Sequence, residues 1–397
     1  MRIMTNRDLF YKYLGLPGAS PLGLEVVRAE GIRLYDPEGR DYIDLVSGIT
    51  VSNTGHRHPK VLQAIREQMD KYLYLNVYGE MIQAPQVEYA RLLASLLPGS
   101  LQSVYFVNSG SEAVEGAMKL AKRHTGRTEI IAFHKAYHGS TQGALSILGD
   151  ESLKQAFRPL SPDIRFLDFN REEDLEQISD HTACVVAETI QAEAGIILPK
   201  EGYLRKLRDR CVETGALLVI DDVQMGLGRT GKMFSYEHDG IIPDILVLAK
   251  ALGGGLPLGA FISSKEIMSS LSHDPELGHI TTFGGHPLSC AAGMAALEVI
   301  LHDHLAEQAD IKGAMFDHAL NGNPAVREIR RKGLVLGVEL DHAGTPAGFL
   351  QRCLDHGLVV DWFLFSPATF RIAPPLTITE DEISESIERL QTCLYTD

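Results

Sequence analysis

The stretch Asp244-Ile-Leu-Val-Leu-Ala-Lys250-Ala-Leu-Gly-Gly-Gly-Leu-Pro-Leu-Gly259 places one lysine at the end of an apolar, strand-like run and follows it with a glycine turn. An isolated ammonium among apolar groups is costly, so a lysine in this setting snorkels to water, pairs with an acid or does covalent work. Its covalent use is a Schiff base, because partial desolvation lowers the amine pKa and frees the lone pair. A second apolar run, Ala216-Leu-Leu-Val-Ile220, ends in Asp221-Asp222-Val223-Gln224. Ligands of open parallel α/β sheets bind outside the carboxyl ends of the strands, so Asp221 and Lys250 can meet on one ligand. Further upstream, Val104-Tyr-Phe-Val107 reads as a strand, Asn108-Ser109-Gly110-Ser111 as a turn and Glu112 to Arg123 as a helix. The free N–H groups and positive dipole end of a helix start, with the serine hydroxyls, suit a phosphate. The same serines also serve as ordinary N-caps.

A strand-end lysine, a strand-end acid and a phosphate turn together ask for a phosphorylated aldehyde with a ring nitrogen, a description that pyridoxal 5′-phosphate (PLP) fits. A rival reading comes from Gly226-Leu-Gly-Arg-Thr-Gly231-Lys232, which has the G-x-x-x-x-G-K spacing of P-loop nucleotidases. Met233 cannot supply the hydroxyl that binds magnesium there, and the loop follows the aspartate strand where it should open the fold. His134 and His138 share an i,i+4 spacing, but the glutamate of H-E-x-x-H is missing, and no metal is expected.

The runs Asn108-Ser-Gly-Ser-Glu-Ala113, Tyr137-His138-Gly139, Glu188-Thr-Ile-Gln-Ala-Glu193, Asp221-Asp-Val-Gln224, Gly226-Leu-Gly-Arg-Thr-Gly231, Leu248-Ala-Lys250-Ala-Leu-Gly-Gly-Gly255, Thr282-Phe-Gly-Gly285 and Arg371-Ile-Ala-Pro-Pro-Leu376 resemble the class III aminotransferases. That is the acetylornithine, ornithine and 4-aminobutyrate group, and the resemblance runs from about Gly31 to the C-terminal helix. It implies an α/β chain of PLP-dependent transferase fold type I, with a mostly parallel central sheet and a smaller α+β domain formed by both chain ends. The expected division is an N-terminal segment over 1–50 that joins the small domain, a large PLP-binding domain over 51–300 and a small domain over 301–397.

The same resemblance implies the roles. Lys250 holds PLP as a Schiff base and, once displaced by the substrate amine, shuttles the proton. Asp221 keeps the pyridine nitrogen protonated, so that the ring acts as an electron sink. Gln224 bonds the phenolic oxygen, Tyr137 covers the ring face, and Ser109, Gly110 and Ser111 hold the phosphate. His138 and Glu188 belong to the cofactor's surroundings. Thr282 reaches the phosphate of a neighbouring subunit, which makes the expected assembly a homodimer. Arg371 grips the substrate carboxylate as a bidentate pair, and Glu193 is the gate that covers Arg371 while an ω-amine reacts.

The expected reaction is amino transfer between an ω-amino or α-amino donor, of acetylornithine or ornithine type, and a 2-oxo acid, 2-oxoglutarate. The alternative is aminomutase, racemase or decarboxylase chemistry on the same fold. Departures from the relatives concern the substrate: Ser140 stands where acetylornithine and ornithine enzymes carry arginine, removing a second carboxylate clamp. Asp222, where glutamate is usual, should tolerate function, Met225, Leu227 and His286 reshape nearby walls, and Thr189 and Ala192 are local backbone adjustments.

Composition agrees with this reading. The chain has 397 residues, enough for two domains, and its formal charge of −15 without a basic run disfavours nucleic acid and anionic membranes. Cys184, Cys211, Cys290, Cys353 and Cys393 are scattered and odd in number, which suits a reducing cytoplasm. The start of the sequence lacks an apolar run of signal length, and no stretch long enough to span a membrane occurs.

Overall fold

The computed structural model describes residues 4–77, 79–341 and 346–394. After a helix over Asn6–Tyr13 come three short strands, β1 (Arg28–Glu30), β2 (Arg33–Tyr35) and β3 (Asp41–Asp44), with β2 and β3 joined by the turn that contains Gly39 at φ 86°. Seven strands then build the central sheet: β4 (Ser103–Val107), β5 (Glu129–Phe133), β6 (Ile164–Leu167), β7 (Thr182–Ala187), β8 (Leu217–Asp221), β9 (Ile245–Leu248) and β10 (Gly259–Ser263). Their order is β4-β10-β9-β8-β7-β5-β6, and every residue of β7, β8, β9 and β10 is buried. Continuous apolar runs, rather than alternating ones, follow from a sheet covered on both faces.

Parallel pairing links β6, β5, β7, β8 and β9, whereas β10 lies antiparallel to both β9 and β4. The mostly parallel sheet agrees with expectation, but the reversal of β10 and the existence of β6 were not foreseen. The reversal has a simple cause. The link from β9 to β10 is too short to hold a helical crossover, so the chain turns back through Gly253–Gly255 and pairs antiparallel. As a result Val107, Asp221, Leu248 and Gly259 all end up at one edge of the sheet, with the register pairing Val107 to Gly259 and Leu248 to Ala260.

Helix Tyr203–Thr214 crosses between β7 and β8 and stops at Gly215, which takes the left-handed conformation that glycine adopts freely. Helix Pro287–His302 is buried along most of its length and leads to helix Leu305–Leu320. The remaining strands are β11 (Val326–Lys332), β12 (Val335–Leu340), β13 (Leu358–Val359), β14 (Asp361–Phe363) and β15 (Ser366–Ile372), before helix Glu380–Leu394. An antiparallel sheet forms in the order β11-β12-β15-β14, while β13 pairs parallel with β3 and so joins the two halves of the sequence in one sheet.

The apolar run Leu358-Val-Val-Asp-Trp362 reads in the sequence as a single strand, but the chain breaks at Val360: β13 is bonded to β3 and β14 to β15, two sheets that one straight strand cannot serve together. The break sets Asp361 directly across from Arg371. Among the described residues no helix is long and apolar enough to cross a membrane.

Candidate active site

A cavity of about 430 Å³ lies outside the shared strand edge. Its lining comes from the turn after β4, the turn 137–139, Glu188 after β7, Asp221 with residues 223–225, and the Lys250 turn. Lys250 sits at φ 52°, a region in which a side-chain-bearing residue is strained and which recurs at functional sites. Its Nζ donates to Gln224 Oε1 at 3.2 Å. Burial, opposed by the attraction of Glu193, pulls the Lys250 amine down to about 8.

At the next strand end Asp221 is held from two sides. Its Oδ2 lies 2.7 Å from His138 Nδ1 and its Oδ1 accepts the Val223 N–H at 3.1 Å. Burial alone would lower the pKa of His138, but the hydrogen bond and charge of Asp221, helped by Glu188, outweigh it and the net direction is upward. An imidazolium donating to Asp221 fixes the orientation of that side chain in the cavity lining. Glu188 fixes the turn that carries Tyr137 and His138 by accepting the N–H of Tyr137 at 3.3 Å and that of Ala192 at 3.1 Å. Burial pushes the Glu188 carboxyl up to about 7.

The serines of the turn after β4 tie it to its surroundings. Ser109 caps helix Gly110–Thr125 by accepting the Glu112 N–H at 3.2 Å, and Ser111 Oγ accepts the N–H of Ser140 at 3.3 Å. Two glycines make the close approach possible. A Cβ on Gly139, at φ 130°, would lie 2.1 Å from Ser111 Oγ, and one on Gly110 would crowd Val223 at 3.2 Å. Tyr137 is half-buried in the cavity wall, with its hydroxyl 3.1 Å from Ser140 Oγ.

Arg371 and Glu193 stand beside this cavity rather than in its lining. Arg371 is fully buried, and its Nη2 donates to Glu193 Oε1 at 2.7 Å. The guanidinium also lies over Phe363, 4.4 Å from the ring centre. Thr282 does not line the cavity: it is exposed, and its carbonyl accepts the Tyr74 hydroxyl at 2.7 Å. The run Gly226–Gly231 lies outside the lining of this cavity. It buries Arg229, which donates to the carbonyls of Leu334 and Pro374 and to Asn53 Oδ1.

Sequence reasoning missed three residues. Val223 supplies apolar lining next to Asp221, and only its place after the strand-end acid hinted at this. Asn108 locks the turn by donating from Nδ2 to Glu112 at 2.8 Å and to Thr281 Oγ1 at 3.0 Å. Asp361 lies 3.5 Å from Arg371 Nη1, and no local signal marks it.

The residues present fit PLP. Gln224 Nε2 and His138 Nε2 are buried nitrogens without a hydrogen-bond partner, and a cofactor oxygen would satisfy the first. The helix start at Gly110 lies at the same cavity as the amine of Lys250 and the carboxylate of Asp221, and the volume falls within the range of small-molecule sites. The depressed amine gives a measurable expectation. Only neutral Nζ attacks an aldehyde, so covalent uptake of PLP by the apoprotein should rise about tenfold from pH 7 to 9 and then level off. An unshifted lysine would still be accelerating steeply at pH 9, which stopped-flow absorbance would distinguish.

Comparison with known proteins points the same way. The family profile described as Aminotransferase class-III matches residues 16–394. The chain is 41% identical to the acetylornithine aminotransferase of Methanopyrus kandleri over 395 residues, covering 98% of this chain and 99% of that protein. It is 39% identical to the acetylornithine aminotransferase of Methanosarcina mazei, with 94% and 92% covered. Among solved structures, the ornithine aminotransferase of Toxoplasma gondii superposes with a TM-score of 0.91 at 29% identity, covering 99% of this chain and 96% of that one. A thermostable (S)-enantioselective omega-transaminase from Thermomicrobium roseum gives 0.90 at 28% identity, with 99% of each chain covered.

Proposed function

The chain belongs to the class III aminotransferases, and from that premise we propose that it moves an amino group from an ω-amino or α-amino donor to 2-oxoglutarate, with Lys250 and Asp221 as its catalytic groups. It is a PLP-dependent transaminase. The observation that carries the finer reading is the convergence of Lys250, Asp221 and Gln224 on one cavity beside the Arg371–Glu193 ion pair.

When bound, PLP supplies the aldehyde that takes the amine and the ring that accommodates the electron pair left on carbon. Everything else falls to this chain's own side chains. Lys250 Nζ, with its lowered pKa, takes the proton from the carbon bearing the amine and later returns it. Asp221, tied to His138 Nδ1, holds a proton on the ring nitrogen. Gln224 offers Nε2 to the phenolic oxygen while its Oε1 keeps Lys250 oriented. Tyr137 walls the ring face off from water. Gly110 and Ser111 present the helix start to the phosphate.

Glu193 sits on Arg371, which covers the buried cation while a donor without an α-carboxylate at that point reacts. When 2-oxoglutarate enters, Glu193 withdraws and Arg371 takes the carboxylate in a bidentate pair. The acetylornithine enzymes among the relatives suggest a donor of acetylornithine or ornithine type. Ser140, which supplies a hydroxyl where a second guanidinium would clamp the donor's far carboxylate, favours donors that do not need that clamp.

The homodimer is part of the same reading. Leu73, Met81, Ile82, Leu277, Ile280 and Phe283 are exposed apolar residues in the segments around Tyr74 and Thr282, with Tyr74 and Phe283 in ring contact at 5.1 Å. A patch of this kind asks for a partner, and a second copy would bring Thr282 to the neighbouring phosphate. The test is the visible spectrum of the PLP-reconstituted protein before and after excess L-glutamate. A yellow band bleached by glutamate is the expected result. A band that glutamate leaves unchanged would overturn the 2-oxoglutarate half of the reaction and raise the aminomutase, racemase and decarboxylase alternatives.

A further inference from the structure

Arg371 faces two carboxylates. Glu193 approaches Nη2 at 2.7 Å from the loop after β7, and Asp361 approaches Nη1 at 3.5 Å from β14, where it is the register partner of Arg371 across the antiparallel pair β14–β15. The two acids differ in freedom. Glu193 is held through its side chain by Arg371 and by the Leu364 N–H at 3.2 Å, so rotation of its side chain releases the guanidinium. Asp361 has a short side chain on a strand bonded along its length to β15, and it stays opposite Arg371 as long as that sheet exists. Arg371 Nε and Nη1 and Asp361 Oδ1 are all buried atoms without a hydrogen-bond partner, so the cluster has capacity left for a ligand.

We propose that Asp361 is a specificity-determining residue of the carboxylate subsite: it remains against Arg371 after Glu193 leaves and weakens the binding of 2-oxo acids that enter as anions. This rests on the reading of Arg371 as the substrate-carboxylate clamp. The physical reason is charge counting. With Glu193 on the arginine, the cluster carries one positive and two negative charges. An entering anion replaces Glu193 at the guanidinium but leaves that carboxylate close by, so the neighbourhood of Arg371 then holds three negative charges, with Lys250 as the other cation. Without Asp361 it would hold two. Repulsion at the separations of neighbouring side chains, in a partly dry site, amounts to roughly three- to tenfold in affinity. The residue therefore favours amine donors that leave Glu193 seated.

The proposal extends to pH. The groups that face Asp361 are Arg371 on β15, Glu193 after β7, Asp44 at the end of β3 and Lys250 after β9; Asp44 in turn lies 2.8 Å from His56 Nε2. Burial, offset by Arg371 and reinforced by Glu193 and Asp44, pushes the Asp361 carboxyl up to about 6. Below that value it takes up a proton, its charge disappears, and the anion should bind more tightly.

The experiment is a titration of the aminated holoenzyme with 2-oxoglutarate, followed by the return of the yellow band, from pH 8 to about 5.5, where both carboxylates of the ligand stay ionised. In the wild-type protein the half-saturating concentration should fall about three- to tenfold as the pH is lowered. D361N should start from the lower value at pH 8 and lose most of that pH dependence, keeping only the change of about twofold that protonation of Lys250 contributes, and D361S serves as the second variant should the first not fold. A higher or unchanged half-saturation in the variant, or a wild-type profile that is flat or rises toward low pH, would overturn the proposal. R371A separates the two layers: if it leaves 2-oxoglutarate binding intact, the clamp reading itself fails. If neither wild type nor variant responds to 2-oxoglutarate, the acceptor has been misassigned, and the same comparison with pyruvate decides the role of Asp361.

Discussion

Lys250→Ala should lower kcat by at least about ten-thousandfold and abolish the yellow band of the reconstituted protein, because the variant removes both the covalent anchor and the proton carrier at one stroke. The geometry supports a loss this large. Among the described residues Lys250 Nζ is the one amine that lines the cavity, and it is oriented by Gln224 at 3.2 Å. The fold should survive, since alanine removes a buried, partly desolvated amine whose hydrogen bond to Gln224 is a single neutral-acceptor contact, and it loses no large apolar contact. Steady-state kinetics and the absorption spectrum read the two losses separately. A variant that kept even a hundredth of wild-type turnover would mean that another group moves the proton. Added methylamine should restore a small part of the proton transfer, because a free amine can enter the space vacated by the side chain.

The second large effect is expected at Asp221. D221N should cost about a thousandfold in kcat, because an amide cannot hold a proton on the ring nitrogen and the site then lacks its charge complement where negative charge develops. The variant also removes the anion that keeps His138 protonated. Leaving a buried cation unpaired would ordinarily cost about 3–5 kcal/mol, but a histidine avoids most of this by releasing its proton. The sign of the pH effect follows. In the wild type the raised pKa of His138 contributes stability that is complete below the unfolded value of 6.5 and is lost as pH rises through the folded pKa. In D221N that contribution should disappear, so the difference in melting temperature between the two proteins should be greatest near pH 6 and shrink toward pH 9. A difference that grew with pH would show that His138 is not the proton-binding partner of Asp221.

Several features were legible in the sequence because each is local. Lys250 and Asp221 end apolar runs, and a run buried on both faces is recognisable without knowing its neighbours. Ser109 and the helix behind it are announced by a turn followed by a good helix sequence, and the structure gives Ser109 the capping bond that such serines commonly make. The Gly215 stop and the turn at Gly39 are equally local features, since a left-handed backbone selects glycine. The G-x-x-x-x-G-K spacing, by contrast, misleads as a local signal. Its arginine is spent on the carbonyls of Leu334 and Pro374, 105 and 145 residues away, and spacing alone carries no trace of that.

By itself the sequence determined the class of fold, the cofactor, and the segments from which the candidate site is drawn, because strand ends, helix starts and glycine turns are fixed by side chains close together in the chain. Only the tertiary structure decided which partners those residues meet. His138 became the support of Asp221 through a contact spanning 83 positions, and Glu193 came onto Arg371 across 178. The break at Val360, which brings Asp361 opposite the same arginine, arises because β3 and β15 compete for adjacent residues of one segment. Pairing between distant strands is chosen by the energy of the whole sheet rather than by the residues of one strand, and for that reason the second carboxylate at Arg371 could be seen only in the folded chain.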